Sequence, residues 1–316
     1  MVDPTRGVLY PARLPEFHRL PSSVPELAAW FWIPEWDIAP GRSSRQDVVA
    51  YPALNLVVEA DAVVLAGPTT RMSSRELRGR GWAVGALLRP AAVLALTDAP
   101  ASLRDGQQRL PDTGPAAALR AEVAAAMASG EGRRERAVAA FADWLRARVG
   151  EVSDAARHAN AMHDLLMSSD VRTPDEAATR LAVSVRTLQR MAHRAVGLPP
   201  AAIIRRRRLQ EAAERLRAEP AADLATLAAE LGYADHAHLS ADFRTVLGIA
   251  PSTYRGDVAA QGEPGPSDPA AYSSIGTSPR AQASRTGWMM RQHSSAASAR
   301  TERVTSPSRM SESTSE

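Results

Sequence analysis

Hydrophobic positions change their spacing three times along the chain, and each change marks a boundary. Before residue 116 the apolar residues come in short β-branched runs. Residues 54–58 (LNLVV) and 62–66 (VVLA preceded by Ala62) are separated by Glu59, Ala60 and Asp61, which is hairpin spacing. Gly67-Pro68 stops the second run, and a third run, 82–88, stops at Arg89-Pro90. Residues 91–96 fit either a strand or a short helix. Trp30, Trp32 and Trp36 stand upstream in a proline-rich stretch and read as core more readily than as the lining of a pocket. The pattern predicts a small sheet or barrel over 1–115.

From 116 to 168 the pattern turns helical. Residues 116–128 and 134–149 are rich in Ala, Glu and Arg, all strong helix formers, with Ser129-Gly130-Glu131-Gly132 between them. Val138, Phe141, Leu145 and Val149 recur at i+3 and i+4, so the second helix has one apolar face. Residues 154–167 form a third helix. This stretch reads as an intramolecular helical connector in preference to a dimer interface.

Two short helical pairs follow within 169–256. Thr173-Pro174-Asp175-Glu176 is a helix start, with Thr173 as N-cap, proline at the first helical position and Glu176 closing a capping box. Ala177, Ala178 and Leu181 give an apolar face, Ala182-Val183 turns the chain, and Ser184 caps the next helix. There Leu188, Met191 and Ala192 point inward, while Arg186, Gln189, Arg190, His193 and Arg194 point elsewhere. The arrangement recurs about 50 residues on. Asp223 caps 224–231, Gly232 makes the turn, and Asp235 caps 236–244. Leu239 and Phe243 face inward there, and His236, His238, Ser240 and Ala241 lie toward the front. Residues 200–217 join the pairs as an amphipathic rod roughly 25 Å long. Such a rod can hold two helices about one DNA turn, ~34 Å, apart.

Composition sharpens this picture. All 38 basic residues among the 316 are arginine, and whole-chain net charge is only +3. With alanine so abundant, that usage reads mainly as GC-rich bacterial coding. Residues 171–255 carry 13 Arg against 9 Asp plus Glu, an excess placed where phosphate neutralisation needs it. An apolar-backed helix with an Arg/Gln front suits a major groove, because arginine pairs with guanine and glutamine with adenine through two hydrogen bonds each. Arg205-Arg206-Arg207-Arg208 covers most of a helix circumference, so these side chains cannot all meet one DNA backbone. There is no cysteine, which excludes disulfides, Cys-based zinc sites and thiol nucleophiles. Residues 1–20 hold no signal-length apolar core, and no run reaches the ~18 residues of a membrane helix. Residues 257–316 are low in complexity and are expected to be a disordered tail.

These residues carry a family resemblance. Residues 181–190 (LAVSVRTLQR), 197–209 (GLPPAAIIRRRRL), 227–235 (LAAELGYAD) and 243–255 (FRTVLGIAPSTYR) resemble the DNA-binding domain of the AraC/XylS transcription regulators. The resemblance implies a seven-helix, double helix-turn-helix domain over 169–256 that reads two successive major grooves. It puts base reading on Arg186, Gln189, Arg190, His236, Ala237 and Ser240, with Ala241 where the family usually has arginine. It puts DNA-backbone contacts on Arg194, Arg205, Arg208 and Arg244. The family's usual glycine in the first turn is Ala182 here. Residues 51–58, 67–70 and 85–90 are similar to sensor domains that precede such DNA-binding domains, which implies a β-rich sensor or effector-like domain.

The expected fold is therefore α+β: a mostly β N-terminal domain, a helical connector, an all-α double helix-turn-helix domain and a tail. The expected function is a cytoplasmic, sequence-specific regulator that binds double-stranded DNA without a cofactor, with the first unit carrying most of the specificity. A small-molecule effector, a homodimer and contact with RNA polymerase are open partners; no membrane partner is expected. The alternative is an interaction protein whose helix-turn-helix scaffold has lost specific readout. An alkyltransferase is excluded because its chemistry needs cysteines. His158/His163 and His236/His238 are spaced poorly for sharing a metal on one helix face.

Overall fold

The computed structural model describes residues 16–48, 51–128 and 130–262. Its strands are β1 (Glu16–Pro21), β2 (Ala28–Asp37), β3 (Ser43–Val48), β4 (Asn55–Glu59), β5 (Val63–Ala66), β6 (Ser73–Arg78), β7 (Arg80–Leu88) and β8 (Gln107–Arg109). The three runs expected from the apolar pattern are β4, β5 and β7. They form the middle of an antiparallel six-stranded sheet of order β1-β2-β7-β4-β5-β8, while β3 and β6 pair separately. The proline-rich stretch with its tryptophans is β2, and successive side chains alternate between its faces. Phe31 and Ile33 are fully buried on one face. Trp32 and Trp36 lie on the other, over Gly85 and Gly81. A Cβ at either glycine would meet the indole ring at 2.1 or 2.4 Å, so these rings fill space that the glycines leave open.

Helices cover the Phe31 face. They are α1 (Pro90–Leu96), α2 (Gly114–Ala128) and α3 (Arg133–Val149), with a short 3-10 turn at Pro100–Leu103. Phe31 meets Phe141 of α3 edge-on, with ring centroids 5.5 Å apart, amid Leu56, Val84, Leu119 and Leu145. Burying each such side chain is worth ~1.5–3 kcal/mol. Glu35 reaches back from β2 to Arg134 at 2.6 Å and to Arg133. The connector's first two helices are thus part of the N-terminal domain's core.

The rest is all α: α4 (Asp154–Leu166), α5 (Pro174–Arg180), α6 (Val185–Val196), α7 (Pro200–Ala218), α8 (Leu224–Glu230), α9 (His236–Leu247) and α10 (Pro251–Gly262). Helix α4 joins two cores. Its Met162 and Leu166 pack with Ala177, Leu188 and Ile203 of the first helix pair. Its Asn160 accepts from the Ala91 N–H at 3.0 Å and donates to the Glu26 carbonyl at 2.8 Å. The second pair closes around Leu209, Leu227, Leu239, Phe243 and Tyr254. Apart from the end of α10, the expected tail lies outside the described residues.

Candidate nucleic-acid interface

Each helix pair is built by local hydrogen bonds that the sequence announces. In the first, Thr173 Oγ1 accepts from the Glu176 N–H at 3.2 Å. The Glu176 carboxylate accepts from the Arg172 N–H at 2.9 Å, one residue further out than the usual capping box. That bond, with Arg180 at 2.6 Å, holds the Glu176 carboxyl below its ordinary value of 4.5. The turn then passes through Ala182 at φ +53°, the left-handed region where an L side chain is crowded. Ser184 Oγ accepts from the Thr187 N–H at 3.1 Å and starts α6.

Helix α6 buries Leu188, Ala192, Ala195 and Val196. Arg186, Gln189, Arg190, His193 and Arg194 are exposed. None of these arginines has an ion-pair or hydrogen-bond partner among the described residues. The helix ends on Gly197, left-handed at φ +79°.

The second pair repeats the scaffold. Asp223 accepts from the Thr226 N–H at 2.8 Å and from its hydroxyl at 3.0 Å, which holds its carboxyl below 3.8. Gly232 takes the turn at φ +76°. Asp235 accepts from the His238 N–H at 2.7 Å and starts α9. Leu239, Phe243, Val246 and Leu247 are buried. His236, Ala237, Ala241 and Arg244 are exposed and Ser240 is half-buried. The His238 ring packs edge-on against Tyr233, with centroids 5.3 Å apart.

The four linker arginines all bind protein acceptors. Arg205 pairs with Asp242 of α9 at 2.5 Å. Arg206, only 4% exposed, donates to the Thr69 carbonyl in the N-terminal domain. Arg207 donates to the carbonyls of Ser168 and, at 2.8 Å, Val171. Arg208 reaches the Arg172 carbonyl at 2.6 Å and the Gly232 carbonyl at 3.2 Å, and lies 5.6 Å over the Tyr233 ring. Arg205 and Arg208, expected at the DNA backbone, stay half-buried, and their donors brace α7 against α9 and against the loops before α5 and after α8. The spacing already excluded four outward arginines. It held no sign of which acceptors would claim them.

A cleft of about 460 Å³ runs beside α6, walled by Leu94, Val152, Ala156 and Met191 together with Arg190 and Arg194. Among the described residues no group of three His, Asp or Glu side chains is placed to hold a metal ion. No described helix is long and apolar enough to cross a membrane.

Residues 177–257 match the model of a helix-turn-helix domain, and residues 19–108 match a domain of unknown function, DUF6597. No curated protein matches the chain. The C-terminal domain of AraT, a response regulator from Geobacillus stearothermophilus, is 25% identical, with a TM-score of 0.29; the match covers 34% of this chain and 88% of that one. ToxT from Vibrio cholerae O395 is 12% identical over 77% of this chain and 96% of its own, with a TM-score of 0.34. Wild-type ToxT from Vibrio cholerae strain SCE256 with a bound unsaturated fatty acid is 12% identical over 76% and 93%, also at 0.34. These TM-scores are too low to carry a structural argument.

Proposed function

We propose that this chain, a regulator of the AraC/XylS type by its C-terminal domain, binds specific DNA sequences by laying α6 and α9 in two successive major grooves. The observation that carries this reading is α6 itself. One face is buried in the domain core, and the other presents Arg186, Gln189 and Arg190 exposed and uncommitted. Those side chains read guanine and adenine edges. On α9, His236, Ala237 and Ser240 face the second groove with weaker chemistry. Arg194 and Arg244, exposed and without an ion-pair partner among the described residues, take the phosphate role expected also of Arg205 and Arg208. The N-terminal domain receives a small-molecule effector, and the protein acts in the cytoplasm.

Selection of bound sites from random duplex DNA by the full chain, followed by gel-shift titration across salt, tests this. The expected result is a two-part site whose affinity falls steeply with salt, with a log–log slope of about one per phosphate contact. Weak binding that is equal for all sequences would favour the alternative, a helix-turn-helix scaffold used for other contacts. Ala237 and Ala241 on α9 are the observation behind that second reading.

A further inference from the structure

Two loops of the N-terminal domain are tied to each other and to α6, α7 and α9. The first, 67–72, follows β5; the second, 100–106, follows α1. Gly67 N–H donates to the Gly106 carbonyl and Asp105 N–H to the Pro68 carbonyl, both at 3.0 Å. A side chain at Gly67 would lie 1.9 Å from the Leu103 carbonyl oxygen, so only glycine permits the approach. The Asp105 carboxylate accepts from the Thr70 N–H at 2.5 Å and from its hydroxyl at 2.7 Å. Asp105 holds φ at +59°, a left-handed conformation that aspartate tolerates better than most residues when its side chain bonds nearby, as it does to Thr70.

The joined loops touch the DNA-binding domain at three places. At the C-terminal end of α6, Gly197 lies so close that a Cβ there would be 2.7 Å from the Pro100 carbonyl oxygen. At the middle of the rod α7, buried Arg206 donates to the Thr69 carbonyl. At the end of α9, the Met72 N–H donates to the Val246 carbonyl at 2.6 Å, and the Met72 side chain packs on the second pair's core. Burial pushes the Arg206 pKa down to about 10, and the nearby Asp105 charge opposes that shift. Desolvating a guanidinium is costly, and here the Arg206 charge is buried with a donor spent on a carbonyl of the other domain.

We propose that the N-terminal domain sets the geometry of DNA reading, with Arg206 as the positioning residue that pins the 67–72/100–106 loop pair across both recognition helices. The proposal rests on the two-groove reading above. The rod α7, with Arg205 and Arg208 bracing it to the units it joins, ties them along one line. The loop pair adds a second path and closes the figure, which fixes the offset and rotation of α6 against α9. Two grooves demand that fixity. One inserted base pair moves the second groove by about 3.4 Å and turns it by roughly 35°.

The absence of native cysteine makes the test clean. In full-length protein, Gln189→Cys and Ala241→Cys place one spin label on each recognition helix, and double electron–electron resonance reads their separation without DNA. The expected distance distribution is narrow in the native background. It should broaden clearly with Arg206→Met, which keeps the site filled by an apolar chain of similar reach. Asp105→Gly, which suits the positive φ and removes the tie to Thr70, should broaden it too and decides the matter if Arg206→Met fails to fold. Unchanged widths in both variants overturn the proposal whether or not the protein reads DNA. With DNA, native protein should lose about tenfold in affinity when one base pair is added between the half-sites, on the scale of a single mismatch. The variants should lose much less from that insertion. A penalty equal to the native one would also count against the pin, whereas absence of specific binding in native protein would count only against the DNA-reading function.

Discussion

The two recognition helices are equal in build and unequal in chemistry. Both are 12 residues long, start on a side-chain cap and end on a left-handed glycine. Their buried positions correspond one to one: Leu188 with Leu239, Ala192 with Phe243, Ala195 with Val246, Val196 with Leu247. Their outward positions do not. Where α6 has Arg186, Gln189 and Arg190, α9 has Ala237, Ser240 and Ala241. Helix α9 carries the stronger group at His236 against Val185, at His238 against Thr187 and at Arg244 against His193. Scaffold and readout are thus separable in this domain. Packing fixes one set of positions, and the groove-facing set is free to differ.

The largest effect that tests this inequality is loss of base preference. Arg186→Ala or Gln189→Ala should each cost ~1–3 kcal/mol of discrimination at the base concerned, because each removes a two-bond contact. Ser240→Ala should cost under about 1 kcal/mol, as one hydroxyl supplies at most one modest hydrogen bond. Arg194→Ala should weaken all sequences about equally. Site selection repeated with each variant checks all of these. Equal losses from α6 and α9 would break the comparison.

The turns give the next effect. They make the same hydrogen bonds: Val183 N–H to the Ala178 carbonyl at 3.0 Å in one, Tyr233 N–H to the Ala228 carbonyl at 2.9 Å in the other. Yet Ala182 must hold φ +53° where Gly232 holds +76°. Ala182→Gly should therefore stabilise the first unit by about 1 kcal/mol, the left-handed penalty less the entropy glycine adds to the unfolded chain. Gly232→Ala should destabilise the second by about 1–2 kcal/mol, since its Cβ would also sit 3.1 Å from an Arg208 nitrogen. Urea midpoints for the pair of variants should move in opposite directions. Movement in the same direction would mean that the two turns are not equivalent.

How much of this was legible in the sequence follows the reach of the interactions. Caps and turns act over three or four residues, so Thr173, Ser184, Asp223 and Asp235 announce themselves, as does the unusual Ala182. The buried central strands β4, β5 and β7 show because both their faces are apolar. Strands β3 (SSRQDV) and β6 (SSRELR) are mostly polar and leave no apolar alternation to detect. Strand β2 is masked by Pro34, although Phe31 and Ile33 already carry the two-residue period. The candidate groove face of α6 was readable from helical periodicity alone. The partners of the linker arginines were not, because Arg206 finds its acceptor at Thr69, 137 residues away. Distance along the chain, rather than the strength of a contact, decides what a sequence discloses here.

The smallest predicted effect concerns acid, and it separates the caps by their chemistry. Thr173 and Ser184 cap the first unit's helices with hydroxyls, which do not titrate. The first helix of the second unit is capped by the Asp223 carboxylate, held below 3.8 mainly by the Thr226 N–H. A carboxyl depressed on folding stabilises the native state above its unfolded value, and that contribution is lost as pH falls through the folded one. Acid should therefore loosen α8 below about pH 4. Glu176, depressed from 4.5 chiefly by the Arg172 N–H, should give α5 a similar but separate loss. Asp223→Ser keeps a good N-cap while removing the charge. Amide exchange followed from pH 5 down to about 3 should then show α8 no longer losing protection while α5 still does. Helix α8 loosening just as much in that variant would show that its acid response comes from elsewhere. It would also remove the carboxylate cap from the differences between the two units.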